Sequence, residues 1–517
     1  KAMVVEGEYV TAIGSADEVV DKRGAPDRVI SLDHQYVMPG FIDSHLHLMA
    51  FGFSMEYVDV SMADSIEMLQ DICQRYLEEK KPPQGRWIIG RGWNQNQFKN
   101  PSFPTKEALD LITRDNPMLL LRICGHIGVV NTLGLQSVYQ TEEIMPESLR
   151  FLLRQGIVVE DELEWFKTRI QPKPDRKELQ QAIINASNRL LSYGVTSVHT
   201  EDSYDVGFSG SFTEIAAAYR DLESEEGLSV RIYQKISLPD IKHLKEWLKG
   251  DERTGDGSDY YRIGPVKLWL DGTLGGRTAA LRQPYHDEPD NRGMLLYTDK
   301  DLEEIVFLAH DQGMQICLHA IGDAALDQAI TVFEKIYQKT GQPLFHRIIH
   351  CQIGDYDLYR RMATIGVTAD IQFAFIASDW PMVIPRVGKG RGRKSYAWKT
   401  LHQLGIQLAA GSDCPVEAPN PLIGIQSAVT RRDLQGQPAD GFNLEEALTL
   451  QEALRIHTAG SAAAAGESAV KGSLEPGKLA DFIQLSHNPF QVPRNELIKI
   501  QVKATWVGGT CRWKQSL

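Results

Sequence analysis

Long hydrophobic runs are missing: nowhere in the 517 residues does an apolar stretch reach the roughly 18 needed to cross a bilayer, so no membrane partner is expected. Basic residues are also in short supply. Lys and Arg total 55 against 68 Asp and Glu, a formal charge of −13. Phosphate backbones need cations to displace their counterions, which excludes nucleic acid as a partner. Cysteine is sparse, and the six (Cys73, Cys124, Cys317, Cys351, Cys414 and Cys511) form no CxxC pair. A disulfide framework is therefore not expected; a reducing, cytoplasmic compartment fits, with all six as small buried side chains at strand ends. The opening Lys1-Ala2-Met3-Val4-Val5 lacks the order of a signal peptide, and without Met at position 1 the natural start is expected to lie elsewhere. What is present is ordinary globular composition, 42% hydrophobic and 24% charged, with length for roughly two to four domains.

Both ends read as short β segments. At the start these are Val4-Val5, Tyr9 to Ile13, Val29 to Leu32 and Tyr36 to Met38; at the end, Ala480 to Leu485, Ile498 to Val502 and Thr505 to Val507. Each end alone is too small to bury a core, so one small β-sandwich built from both is expected, over 1–39 and 466–517. Between them strand-like and helix-like segments alternate, the mark of a parallel α/β fold. Eight strand candidates appear: Phe41 to His47, Gly194 to His199, Val230 to Tyr233, Val266 to Leu270, Gln315 to His319, Arg347 to His350, Val367 to Ile371 and Gln407 to Asp413. Helical stretches separate most of them, clearest at Leu302 to His310 and Ala324 to Tyr337. Eight such units predict an α/β fold, a (β/α)8 TIM barrel over 40–465, whose catalytic groups belong at the C-terminal ends of the strands. From His47 to His199 is 152 residues, far more than one βα unit uses, so an insertion at approximately 51–178 follows the first strand. A lid or specificity element is its expected role.

A parallel strand buried on both faces should be apolar, so polar residues at its end are informative. His45 and His47 in Asp43-Ser44-His45-Leu46-His47 sit at i and i+2, and the period of a strand points both the same way. Lys267, inside the fourth strand, is costly there unless paired with an acid such as Asp271 or Asp413, or converted by CO2 to a carbamate anion able to bridge metals. His319 and His350 end strands five and six, and Asp413 ends strand eight. Singly, each histidine reads equally as a hydrogen-bonded core residue, and Asp413 as a helix N-cap. Together, at five strand ends of one barrel, they point to a metal site.

At these residues the chain resembles the amidohydrolase superfamily, in the branch that includes N-substituted formamide deformylase. The matching segments are Val37 to His47, Gly92-Trp93-Asn94, Val266-Lys267 through Gly275, and His319 to Asp323. Ser378 to Pro381, Gly411 to Glu417 and Gly472 to Asp481 continue the match. The resemblance implies that His45, His47 and Asp413 bind one divalent ion, that His319 and His350 bind a second, and that carbamylated Lys267 bridges them. Such ligands suit Zn2+, with Mn2+, Fe2+ and Co2+ accepting the same donors. It further implies hydrolysis of a non-peptide C–N bond of a small N-substituted amide or formamide. Metal-activated hydroxide would attack, and Asp413 would be the catalytic proton shuttle. His199-Thr200-Glu201-Asp202 also offers ligands, but a supporting role fits it better. Trp93 and His126 in the insertion, with Asp271, Arg277, Asp323 and Trp380 after strand ends, are expected substrate contacts. The basic stretch Lys389 to Lys394 reads as a solvated loop on an acidic protein. Two alternatives stay open: a mononuclear deaminase of cyclic amidines and a non-catalytic scaffold of the same fold. Self-association into a homo-oligomer is also left open.

Overall fold

All eight strand candidates form strands of one parallel sheet. In chain order they are β1 (Phe41–Leu46), β2 (Val195–Thr200), β3 (Arg231–Ile236), β4 (Tyr261–Trp269), β5 (Ile316–Ala320), β6 (Arg347–His350), β7 (Thr368–Ile371) and β8 (Leu408–Ala410). Each pairs with its chain neighbour, as right-handed βα units require. Beyond β8 the chain closes back on β1: Asp413 N–H donates to His45 O at 2.7 Å and His47 N–H to Cys414 O at 2.8 Å. A side chain at Gly411 would put its Cβ 2.4 Å from His45 N, so this closure depends on glycine. The computed structural model describes residues 1–23, 26–32, 35–123, 125, 127–139, 154–167, 169–170, 173–202 and 212–516.

Helices return the chain between strands. Asp323–Thr340, after β5, buries Leu326, Ile330, Phe333 and Ile336 at helical spacing and stops at Gly341, whose φ of 66° supplies the left-handed cap. The expected solvated loop at 389–394 instead begins inside the helical segment Phe375–Gly392. Arg391 there donates to Gln283 O at 2.8 Å and Pro284 O at 2.6 Å, so this basic group braces a loop.

The chain divides into two compact units, one of Lys1–Leu48, Ile183–Ser203 and Ser211–Leu517, the other of Met49–Ala182 and Tyr204–Gly210. The first holds the barrel and the β structure of both ends. Tyr36–Pro39 pairs with Phe482–Leu485, which continues through Val502–Val507 to Thr510–Lys514, and Ala2–Glu6 pairs with Tyr9–Gly14. Val10, Ala480 and Phe482 form a shared core with Met3, Val5 and Trp506 against it. Two expectations fail at the N-terminal end. Residues 16–23 form a helix, and Val29 to Leu32 form no strand, with Val29 80% exposed. The second unit contains a five-stranded sheet. Val58–Asp59, Ile88–Trp93 and Met118–Arg122 run parallel, and Ile127–Val130 and Ile157–Val159 add antiparallel. Cys73, Cys317, Cys351 and Cys414 are buried as expected, Cys511 is exposed on an edge strand, and Cys124 lies outside the described residues. Among the described residues no helix is long and apolar enough to cross a membrane.

Candidate metal centre

The strand period places the first two ligand candidates as expected. The His45 and His47 rings lie 5.3 Å apart, and each Nε2 is 3.2 Å from Asp413 Oδ1, delivered by the turn after β8. His350, at the end of β6, lies 5.6 Å ring to ring from His45 and 4.5 Å from His319 on β5. The ligand atoms of His45, His350 and Asp413 all fall within 4.8 Å of one another. Two of these residues hold left-handed backbone, φ 76° at His350 and 59° at Asp413, a strained conformation for side chains with a Cβ and one that clusters at functional sites.

Each ring is held from behind. His47 Nδ1 lies 2.8 Å from Glu201 O, and His350 Nδ1 lies 2.7 Å from Gln372 Oε1. His319 Nδ1 lies 3.0 Å from Asp271 Oδ1, close but off line for a hydrogen bond. An acceptor at Nδ1 keeps the proton there and leaves the Nε2 lone pair for a cation. His45 differs, since its Nδ1 faces the amine of Lys235 at 2.7 Å.

Electrostatics favour cation binding. Burial, with Lys235 and Lys267 nearby, pushes His45 well below the usual imidazole range, and burial with His319 beside it does the same to His350. Both are neutral, as a ligand must be. Burial alone would raise the Asp413 carboxyl, but contact with His45 and hydrogen bonds from His45 and His47 outweigh it and hold Asp413 well below the usual carboxylate range. Burial pushes Asp43 up to about 7 despite hydrogen bonds from Ser412 and His45, and its Oδ1 ties the β8 turn to β1. Lys267 is 1% exposed, and its Nζ has no hydrogen-bond partner. Neither Asp271 nor Asp413 pairs with it, and its Nζ lies over the Trp269 ring, 4.9 Å from the centroid.

Four supporting residues escaped the sequence reading: Lys235, Arg347, Asp370 and Gln372. The first three are fully buried inside the barrel, where Arg347 pairs with Asp370 and donates to Ser44 O at 2.7 Å. Lys235 lies within β3 but two residues beyond the strand end expected at Tyr233.

The expected substrate contacts fare differently. Trp93 is fully buried in the core of the second unit, its indole N–H donating to Leu120 O at 2.9 Å, which gives it a packing role there. His126 lies outside the described residues. Asp271 accepts from the N–H groups of Ala280, Ile321 and Gly322 at 2.8–3.1 Å and so braces the loop after β4 while backing His319. Arg277 is engaged with Asp287 at 3.0 Å and Glu288 at 3.3 Å. Asp323 accepts from Arg282 N–H at 2.9 Å, and the Trp380 indole N–H donates to Asp433 at 3.3 Å. Glu201 lies behind His47, its carbonyl oxygen 2.8 Å and its carboxylate 3.4 Å from Nδ1.

A model described as the amidohydrolase family matches residues 28–512. The "Putative amidohydrolase YtcJ" of Bacillus subtilis (strain 168) is 32% identical, covering 100% of this chain and 96% of its own. The N-substituted formamide deformylase of Arthrobacter pascens is 23% identical, covering 100% and 95%. Among solved structures, an uncharacterized metal-dependent hydrolase from Pyrococcus horikoshii OT3 superposes with a TM-score of 0.80 at 31% identity, over 95% of this chain and 94% of that one.

Proposed function

The chain belongs to the amidohydrolase family of metal-dependent hydrolases, and from that premise we propose that its barrel site hydrolyses the C–N bond of a small N-substituted amide or formamide with two divalent ions. The observation that carries this reading is the convergence of His45, His47, His350 and Asp413, with His319 against His350, at the C-terminal ends of the strands. The donor set fits a cation: neutral imidazoles, an ionised carboxylate, and one buried amine with nothing to bond to. His45, His47 and Asp413 would hold one ion, and His319 and His350 the other. Lys267 would bridge them once its amine adds CO2 and loses a proton, which turns a costly buried amine into an anionic ligand. Imidazole and carboxylate donors favour Zn2+. When bound, such ions polarise a carbonyl and bring the pKa of water near neutrality.

The remaining chemistry belongs to the chain. Asp413, ionised and 3.2 Å from Nε2 of both His45 and His47, accepts the proton of the attacking water and returns it to the leaving nitrogen. The formamide assignment draws support from the deformylase relative, at 23% identity over the full chain. The test is Asp413→Asn, assayed against a panel of formamides and acylated amines with metal content measured in parallel. Turnover should fall about 100- to 10,000-fold while most of the metal stays bound; near wild-type activity would sink the shuttle assignment.

A second reading uses one ion and deaminates a ring. It draws on the tight trio His45, His350 and Asp413, which alone among the described residues forms a compact three-ligand group. Metal stoichiometry and ammonia release separate the two.

A further inference from the structure

Lys235 stands at the one ligand candidate whose rear nitrogen does not face a carbonyl or carboxylate. Its Nζ lies 2.7 Å from His45 Nδ1 and donates to Ser44 O at 2.9 Å and His199 O at 3.1 Å. Three partners in three directions fix a tetrahedral nitrogen completely. Those partners are fixed in turn. Arg347 donates to Ser44 O at 2.7 Å, its Nη1 lies 3.1 Å from His199 Nδ1, and it pairs with Asp370. Ser44 Oγ donates to Asp370 Oδ1 at 2.5 Å. Lys235, Arg347, Asp370, Ser44 and His199 are all inaccessible to solvent. An amine and a guanidinium over one carboxylate in a barrel interior carry a large desolvation cost, and an apolar side chain of Lys235's volume would fill the same space more cheaply. What the apolar side chain would not do is touch His45 Nδ1.

We infer that Lys235 is the positioning residue of His45. It contacts neither substrate nor cation. By holding Nδ1–H on its amine lone pair, with its two N–H groups on the carbonyls of Ser44 and His199, it sets the plane of the imidazole, so that the Nε2 lone pair points at the ion position beside Asp413. Glu201, Asp271 and Gln372 back the other three rings, and Lys235 completes the set with an amine. The inference rests on the proposed metal reading.

The experiment compares wild type, Lys235→Met and Lys235→Gln. Zn2+ affinity is measured by competition with a chromophoric chelator, and the visible absorption of the Co2+-loaded proteins reports ligand geometry independently of turnover. Melting curves confirm that each variant is folded. Loss of a partner behind a metal-bound histidine costs about 10- to 100-fold in affinity, and Lys235→Met should show that loss with an altered Co2+ spectrum. Lys235→Gln, polar but on a shorter stem, should lose less, yet measurably. Wild-type affinity and spectrum in Lys235→Met would overturn the inference, as would equal losses in the two variants. Should Lys235→Met not fold, Lys235→Gln decides alone, with an unchanged affinity and spectrum as the refuting result. Failure of wild type to bind Zn2+ or Co2+ would instead refute the metal reading, and this inference with it.

Discussion

Replacing Lys267 with Met should make the metal-free protein more stable and the metal-loaded protein less so. Lys267 is 1% exposed, and its Nζ has no hydrogen-bond partner. A buried polar group left unsatisfied costs about 1–3 kcal/mol. Against that, the ammonium gains from the Trp269 face 4.9 Å away, a contact of roughly 0.5–1 kcal/mol. Met keeps the volume and drops the polar atom, so the metal-free variant should gain up to about 2.5 kcal/mol on this balance. With metal the sign reverses, because a ligand that binds only the folded state stabilises by about 2.7 kcal/mol at 100 times its dissociation constant. Wild type should gain that increment and Lys267→Met should lose most of it. Thermal or urea unfolding of both proteins, stripped with chelator and then reloaded with Zn2+, reads all four states. The reasoning fails if the stripped variant melts below stripped wild type, since Lys267 would then be a structural residue with a partner. It also fails if both proteins gain equally from Zn2+.

Two further predictions concern stability away from the metal. Arg231 forks onto Asp481 at 2.7 and 2.9 Å with both residues buried, joining β3 to the sheet of the chain ends. Asp481→Ala should cost about 3–5 kcal/mol in urea unfolding, and the double change Arg231→Met with Asp481→Leu markedly less; equal costs would refute the pairing argument. His346 is buried, its Nδ1 accepts from Ile316 N–H at 3.2 Å, and its Nε2 faces His310 Nδ1 at 3.1 Å. Burial, with His310 beside it, pushes this imidazole down to about 3 from the ordinary 6.5. The unfolded chain therefore takes up a proton that the folded chain refuses. The contribution is intact above pH ~6.5 and is lost as pH falls from there toward ~3, reaching about 2 kcal/mol by pH 5. The stability difference between pH 7 and pH 5 should shrink by that amount in His346→Phe, and an unchanged difference would show that His346 is not held neutral.

How much of this site could be read from sequence follows from what a parallel barrel does to its strands. Burial on both faces makes them apolar, so His45, His319, His350 and Asp413 stand out at strand ends, and their common location follows from the fold. The misses have equally physical causes. Val29 to Leu32 is β-branched and apolar, but propensity describes fit to a pleated surface and does not supply a neighbouring strand; the segment is exposed. Trp93 is an expected substrate contact as an aromatic side chain within the insertion. Yet it ends Ile88–Trp93, a strand whose core its own sheet provides. Arg347 and Asp370 were both visible inside strand candidates. Their pairing depends on the register that sets Arg347 beside Thr368 and Ile349 beside Asp370, which no single strand reveals. Lys235 is the instructive case. Like Lys267, it is a lysine within a buried strand, where an amine is costly without a partner. It was hidden because β3 was read as ending at Tyr233, two residues short of it, whereas the strand continues to Ile236. Strand boundaries are the softest part of a sequence reading, and in a barrel the residues just inside the C-terminal boundary are those that hold the ligands. A difference of three residues at that boundary removes a supporting side chain from view while leaving the fold untouched.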